Sequence, residues 1–276
     1  MYSKVYVEIT NICNMNCSFC HGHGREAGAM TREQFCAVLD KLEGHTKYIY
    51  YHLMGEPLMH PLLQEFIRIA SGKGFLSVIT TNGTLLVERG EELIESGVYK
   101  VNISLHSFEN DDETGFLKYM GQVADFAEKA SQAGIIVVMR LWNKGFDDGR
   151  ADLALEFLRN HISGEWEENT RGLRIHHKLH LEWGDRFEWP DMEAPLYGEE
   201  VYCYGLRDHF GILCDGRVVP CCLDSDGLLE LGNIFENSID EIVNAPRGCA
   251  IREGFEGRHA AEELCRRCGY AQRFVT

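Results

Sequence analysis

The 276-residue chain contains no apolar run of the roughly 20 residues needed to cross a bilayer, so no membrane-spanning helix is expected. Its first residues, MYSKVYVEIT, lack the apolar core of a signal peptide, and the expected location is the cytoplasm. Basic side chains are also scarce, with 27 Lys and Arg against 43 Asp and Glu and a formal net charge of −16. That balance argues against a nucleic-acid surface and suits small or basic partners; a solvated acidic exterior accounts for the same charge without any function. Hydrophobic residues at 45% and charged residues at 25% are ordinary for a globular chain. The length suits one large domain, or a large domain with a small appendage.

Cysteine, by contrast, is abundant. Disulfides are disfavoured in a reducing compartment, so eleven cysteines point to metal or redox chemistry. Three lie at the start, seven lie from Cys203 onward, and Cys36 stands alone in TREQFCAVLDKL, where it reads as a buried helix residue. Cys13, Cys17 and Cys20 form C-x₃-C-x₂-C, three thiolates on one short loop. A four-iron, four-sulfur cluster normally takes four thiolates, so three leave one iron open to an outside ligand. His21 and His23 offer a fourth donor for zinc, but the spacing fits zinc loops poorly.

From residue 5 to about 183, short β-rich runs (5–10, 47–54, 76–81, 100–106, 135–142, 178–183) alternate with helical ones (31–43, 60–72, 85–96, 113–133, 150–162). The alternation predicts βαβ units and a parallel sheet, an α/β chain forming a partial (β/α)₆ TIM-like barrel. The strands have unlike faces. Val5, Val7 and Ile9 oppose Tyr6, Glu8 and Thr10; Val101, Ile103 and Leu105 oppose Asn102, Ser104 and His106; Leu179, Leu181 and Trp183 oppose Lys178, His180 and Glu182. One face fits helices and the other fits water or a polar ligand, so the barrel is expected to be open and occupied. An antiparallel sheet with one wet face gives the same alternation, though not the intervening helices.

Sites on such scaffolds gather at the C-terminal ends of the strands. That rim would collect the cysteine loop, Met54–Pro57, Thr81-Asn82-Gly83, Ser104 and His106, then Arg140, Trp142, Asn143 and Glu182. Each alone is weak, because Gly-Glu-Pro or Asn-Gly is more often a turn; their shared place carries the weight.

The cysteine loop, with Phe19 before its last Cys and a short strand ahead of it, resembles the signature of radical S-adenosylmethionine enzymes. The resemblance covers about the first two-thirds of the chain. It implies that S-adenosyl-L-methionine chelates the open iron and is cleaved on reduction to methionine and a 5′-deoxyadenosyl radical, which abstracts a substrate hydrogen. It further implies that Gly55 and Glu56 bind the amino group of S-adenosylmethionine, and that Ser104 and His106 reach its ribose or carboxylate. Arg140 would pair with the carboxylate, and Phe19 would lie by the adenine, with backbone near His21.

After a polar stretch at 185–200, Asp215-Gly216 reads as a hairpin turn between Ile212–Cys214 and Arg217–Val219. Cys203, Cys221, Cys265 and Cys268 give C-x₁₇-C-x₄₃-C-x₂-C, able to close a tetrahedral site for zinc or iron. With Gly216-x₄-Cys221 and Gly232-Asn233-Ile234, the block resembles SPASM and "twitch" extensions. Its closest pattern is the single-cluster twitch of the 2-deoxy-scyllo-inosamine dehydrogenase type, which implies one auxiliary four-iron cluster held by those four cysteines. Only eight residues follow Cys268, so a second auxiliary cluster is not expected. Cys214, Cys222 and Cys249 stay unassigned; Cys222, beside a ligand, reads as a buried thiol, an exchangeable ligand or a hydrogen donor.

The expected organisation is a barrel over 1–184, a linker over 185–200 and an auxiliary-cluster domain over 201–276. The expected activity is a radical oxidoreductase that dehydrogenates a small molecule and passes an electron to the auxiliary cluster. His52, Arg140 and Glu182 lead the candidate substrate and base groups, with His23, Tyr50 and His180 behind them. The alternatives are a peptide-modifying maturase and a zinc-stabilised binding protein without catalysis. A small substrate is favoured because strand one begins almost at residue 1, leaving no N-terminal domain for a leader peptide. The expected partners are that substrate and a flavodoxin- or ferredoxin-type reductant, with no nucleic acid and no membrane.

Overall fold

A computed structural model describes residues 1–109, 112–146 and 149–274. Strands β1 (Val5–Val7), β2 (Tyr48–Tyr50), β3 (Leu76–Thr81), β4 (Lys100–Ser104) and β5 (Ile136–Lys144) run parallel in that order. Helices α1 (Arg32–Leu42), α2 (Leu63–Gly72), α3 (Leu86–Glu95) and α4 (Glu113–Gln132) connect them, and α5 (Arg150–His161) follows β5. The chain then makes an antiparallel hairpin, β6 (Glu167–Asn169) and β7 (Gly172–His176), before β8 (Leu179–Asp185) joins β5 in parallel. No pairing joins the two ends of this sheet among the described residues, so the six parallel strands form an open barrel.

Local chemistry explains the connecting helices. Thr31 caps α1 in a reciprocal box with Gln34, and the helix buries Phe35, Val38, Leu39 and Leu42 at helical spacing. Asp112 caps α4 by accepting from the Gly115 N–H. The outward faces Val5, Val7, Ile9, Val101, Ile103, Leu179 and Leu181 pack under these helices with no exposure. None of the described helices is long and apolar enough to cross a membrane.

Three features depart from the sequence reading. β1 and β2 are shorter than expected, because beyond Val7 and Tyr50 the chain leaves the ladder to build rim loops. The hairpin β6–β7 was not anticipated; its polar sequence carries little strand signal, and its turn is set by Asn169 accepting from the N–H groups of Arg171 and Gly172. The polar strand face is partly dry: Glu8 and Asn102 have no exposure and Thr10 only 3%.

The C-terminal portion extends the same sheet. β9 (Gly211–Ile212) pairs in parallel with β1, and β10 (Arg217–Val219) and β11 (Gly232–Asn233) follow antiparallel, making eleven strands among the described residues. The predicted turn at Asp215-Gly216 joins β9 to β10. Short helices α6 (Ile239–Val243), α7 (Pro246–Glu256) and α8 (Glu263–Arg266) complete the chain. Residues 185–200 pack across the molecule: the Trp189 indole N–H donates to the Phe19 carbonyl at 2.9 Å, and the Tyr197 N–H to the Arg266 carbonyl at 2.9 Å.

Candidate active site

The cysteine loop is held from several sides. Its base is fixed by Asn11, which donates to the Glu26 carbonyl and accepts from the Gly28 N–H, each at 2.8 Å. Asn14 donates to Thr84 and accepts from Asn82 at 2.8 and 2.9 Å, tying the loop to the turn after β3. Ser18 donates through its backbone and hydroxyl to the Glu109 carboxylate at 2.7 and 2.8 Å, tying it to the segment after β4. Within it, Cys13 and Cys20 are exposed and Cys17 is half-buried. Burial, with a smaller push from neighbouring thiols, raises the Cys13 thiol and lifts Cys17 to about 11. These thiols keep their protons until a cation arrives, as ligands of iron do.

Gly55 makes the next loop possible. Its φ is +77°, and a Cβ there would lie 2.4 Å from the Thr10 carbonyl oxygen, so only glycine lets this turn approach the root of the cysteine loop. Glu56 is 2% exposed and accepts from the N–H groups of Leu58 at 2.9 Å and Asn82 at 2.8 Å. Burial raises its carboxyl to about 7. Ser104 is half-buried at the end of β4. The His106 ring lies tilted, 4.9 Å from that of Phe19, and sets its Nδ1 3.0 Å from the Arg140 carbonyl oxygen. Burial lowers this imidazole to about 4, so it is neutral at ordinary pH.

The barrel encloses a cavity of about 670 Å³, within the usual range for small-molecule sites. Tyr50, His52, Arg140 and Glu182 line its barrel end, and Cys203, Cys221, Cys265 and Cys268 line its other end. His23 and His180 are not among its lining residues; His23 places Nε2 3.0 Å from the Asn11 carbonyl oxygen within the cysteine loop. Nδ1 of His52 and Nε of Arg140 are buried without a hydrogen-bond partner, the state of groups that await a ligand. Burial, with Arg140 and Lys4 nearby, depresses His52 to about 3.

The four C-terminal cysteines gather although they are distant in sequence. Burial raises Cys221 well above the normal thiol range, and Cys203, Cys265 and Cys268 each add to it. The C-x-x-C turn is closed by the Cys268 N–H donating to the Cys265 carbonyl at 3.3 Å. Among the described residues no three His, Cys, Asp or Glu groups converge on a single ion. A four-iron cubane spreads its thiolates around a larger body than one zinc, whose bonds to sulfur are about 2.3 Å. Of the unassigned thiols, Cys222 faces the cavity, Cys214 is buried and Cys249 bonds the Asn244 carbonyl.

Sequence reasoning missed one pair. Glu8, with no exposure, accepts two bonds of 2.8 Å from Arg25 and further ones from the N–H groups of Met54 and Cys214. Arg25 also donates to the Ser225 carbonyl at 2.7 Å. The pair clamps the cysteine loop to the β2 loop and to the C-terminal hairpin. A glutamate inside the apolar run VYVEIT was the available signal, since a buried carboxylate requires a partner.

Comparisons with known proteins bear on the family and the fold. The Radical SAM superfamily profile matches residues 7–150, and the profile of SPASM, an iron–sulfur cluster-binding domain, matches residues 203–269. A probable GTP 3′,8-cyclase of Methanocella arvoryzae is 30% identical over 273 residues, covering 87% of this chain and 88% of its own. A tungsten-containing aldehyde ferredoxin oxidoreductase cofactor-modifying protein of Pyrococcus furiosus is 39% identical over 107 residues, 37% of this chain and 30% of its own. Among solved structures, BtrN in complex with AdoMet and 2-DOIA has a TM-score of 0.62 at 19% identity, covering 97% of this chain and 93% of its own. Streptococcus suis SuiB bound to the precursor peptide SuiA has a TM-score of 0.58 at 14% identity, covering 100% and 73%. Both likenesses are of fold. With S-adenosylmethionine and four-iron clusters as its cofactors, the chain belongs to the radical SAM superfamily and carries a C-terminal SPASM-type domain.

Proposed function

We propose that the protein is a radical S-adenosylmethionine oxidoreductase that dehydrogenates a small molecule. Cys13, Cys17 and Cys20 would hold the S-adenosylmethionine-binding cluster, and Cys203, Cys221, Cys265 and Cys268 the auxiliary one. When bound, the first cluster and S-adenosylmethionine supply a 5′-deoxyadenosyl radical that removes a substrate hydrogen. The observation that carries the reading is the cavity, which runs from Tyr50, His52, Arg140 and Glu182 to four auxiliary cysteines. Four thiolates complete a four-iron cluster, leaving it free to take an electron and unable to bind substrate through iron.

We assign the remaining roles on chemistry. Glu182 is the proton acceptor; His52, with its pKa near 3, is too weak a base and serves as a neutral hydrogen-bonding group. Arg140 orients the substrate. Gly55 and Glu56 receive the amino group of S-adenosylmethionine, and Ser104 and the neutral His106 face its ribose or carboxylate, with Phe19 by the adenine. The reductant is a flavodoxin- or ferredoxin-type carrier. Barrel and auxiliary domain are assigned to 1–184 and 201–276, joined by 185–200. Family membership sets aside the zinc-stabilised scaffold. Relatives named as probable GTP 3′,8-cyclases favour a second reading, ring closure on a nucleotide.

The test removes the electron acceptor. Cys265→Ala/Cys268→Ala should still cleave S-adenosylmethionine, and deuterium from a labelled substrate should still reach 5′-deoxyadenosine. Oxidised product should fall close to zero. Circular dichroism and a melting curve must accompany the assay, because cluster ligation and folding are coupled. A folded double variant that makes product at the normal rate would leave the second cluster merely structural.

A further inference from the structure

The barrel interior is a cationic chamber inside an acidic protein. Lys4 ahead of β1, Lys100 at the start of β4 and Arg140 on β5 line the cavity, with Arg171 in the β6–β7 turn at its exposed edge, while the chain as a whole carries −16. Among the described residues none of the four makes an ion pair within 4.0 Å. Glu182, opposite Arg140 in the β5–β8 register, makes none either. Of the other lining carboxylates, Asp208 lies 3.8 Å from Arg207 and partly offsets the charge of Lys4, and Asp224 accepts from the N–H groups of Leu228 and Leu229. Arg273 donates to the Asp185 carbonyl.

Five cations, Arg273 included, therefore share this lining with three carboxylates, a surplus of positive charge. Aromatic rings relieve part of the cost: the Lys4 ammonium lies 5.2 and 5.1 Å from the rings of Tyr6 and Tyr50, and the Arg140 guanidinium 4.5 Å from Trp142. Rings bring no counter-charge. Burial is the main cause that lowers both lysines; Arg140 adds to it, while Cys222 and Asp208 oppose it at Lys4 and Glu182 opposes it at Lys100. Such an arrangement is costly unless a ligand supplies the anion. A single carboxylate would answer one of these charges; a phosphate ester carries about −1.5 to −2 and presents several strong acceptors.

We propose that the substrate is a phosphate-bearing small molecule, its phosphate held by Lys4, Lys100 and Arg140 and its body laid against Tyr6, Tyr50 and Trp142. The inference rests on reading this cavity as the substrate chamber.

The experiment is isothermal titration of the anaerobically reconstituted holoenzyme with inorganic pyrophosphate, citrate and acetate, without turnover. Pyrophosphate should bind most tightly, and Lys100→Gln and Arg140→Gln should each weaken it about tenfold or more. Lys118→Gln, on the outer side of α4, should leave it unchanged. Iron content and circular dichroism verify each variant, and Lys4→Gln supplies the same reading if Arg140→Gln does not fold. Pyrophosphate binding no better than acetate, or unmoved by the chamber substitutions, overturns the proposal. Tighter binding of citrate overturns the phosphate assignment. Since no turnover is involved, failure of the oxidoreductase reading would appear only in the product assay.

Discussion

Glu56 shows how burial redirects one side chain. Its sequence context suggests a turn or an ammonium partner, and its position allows both: two backbone N–H groups hold the carboxylate in place. With a folded pKa near 7, above its ordinary value of 4.5, the group contributes stability that is complete below about pH 4.5 and is lost as pH rises through 7. Glu56→Gln removes that titration. The stability of the natural protein relative to the variant should therefore fall by about 3 kcal/mol between pH 4.5 and pH 8, read from melting curves. A constant difference would mean that the carboxyl titrates normally. Under the proposed function the same variant should bind S-adenosylmethionine about 1.5–3 kcal/mol more weakly with unchanged iron content. Unchanged affinity would mean that Glu56 only caps its turn.

At the scale of elements, the β9–β10 turn lies a few residues ahead of Cys221. Gly216 has φ of +90°, and a Cβ there would meet the Phe235 ring at 2.4 Å and the Asn233 side-chain oxygen at 2.6 Å. From this turn β10 leads to Cys221 on one side, and β9 pairs with β1 on the other. Gly216→Ala adds left-handed strain to a steric clash, a loss of about 2–4 kcal/mol. Its melting temperature should drop by several degrees, and the auxiliary iron should become labile to chelators while the first cluster stays intact. A variant as stable as the parent would show that Phe235 can move aside. The Glu8–Arg25 pair acts at the same scale, because it joins β1, the cysteine loop and the C-terminal hairpin through one buried contact.

For the whole molecule, two four-iron clusters predict roughly eight iron atoms per chain and a brown protein. Replacing Cys13, Cys17 and Cys20 together with Ala should remove about half the iron and all S-adenosylmethionine cleavage. Stoichiometric zinc in anaerobic preparations, or cleavage that survives the triple replacement, would overturn the cluster assignment. The loop of Cys13, Cys17 and Cys20 and the segment of Cys221 each follow a strand of one continuous sheet, and the cavity is lined by all four C-terminal cysteines.

Much of this was legible in the sequence, because the signals are local. The alternation of β-rich and helical runs placed α1 to α5 within a few residues and located the six parallel strands of the barrel. Cysteine spacing identified the first loop, since three ligands within eight residues need no tertiary help. Tertiary structure alone decided the rest. Glu8 and Glu182 both sit on polar strand faces, yet one is sealed beneath Arg25 and the other faces the cavity; alternation cannot distinguish them, because burial depends on which loop covers the strand. That Cys203 and Cys221 line one cavity with Cys265 and Cys268, and Lys4 with Lys100, Arg140 and Arg171, is decided by the tertiary fold. Those linings bring together residues tens to more than a hundred positions apart, which periodicity, a local property, does not encode.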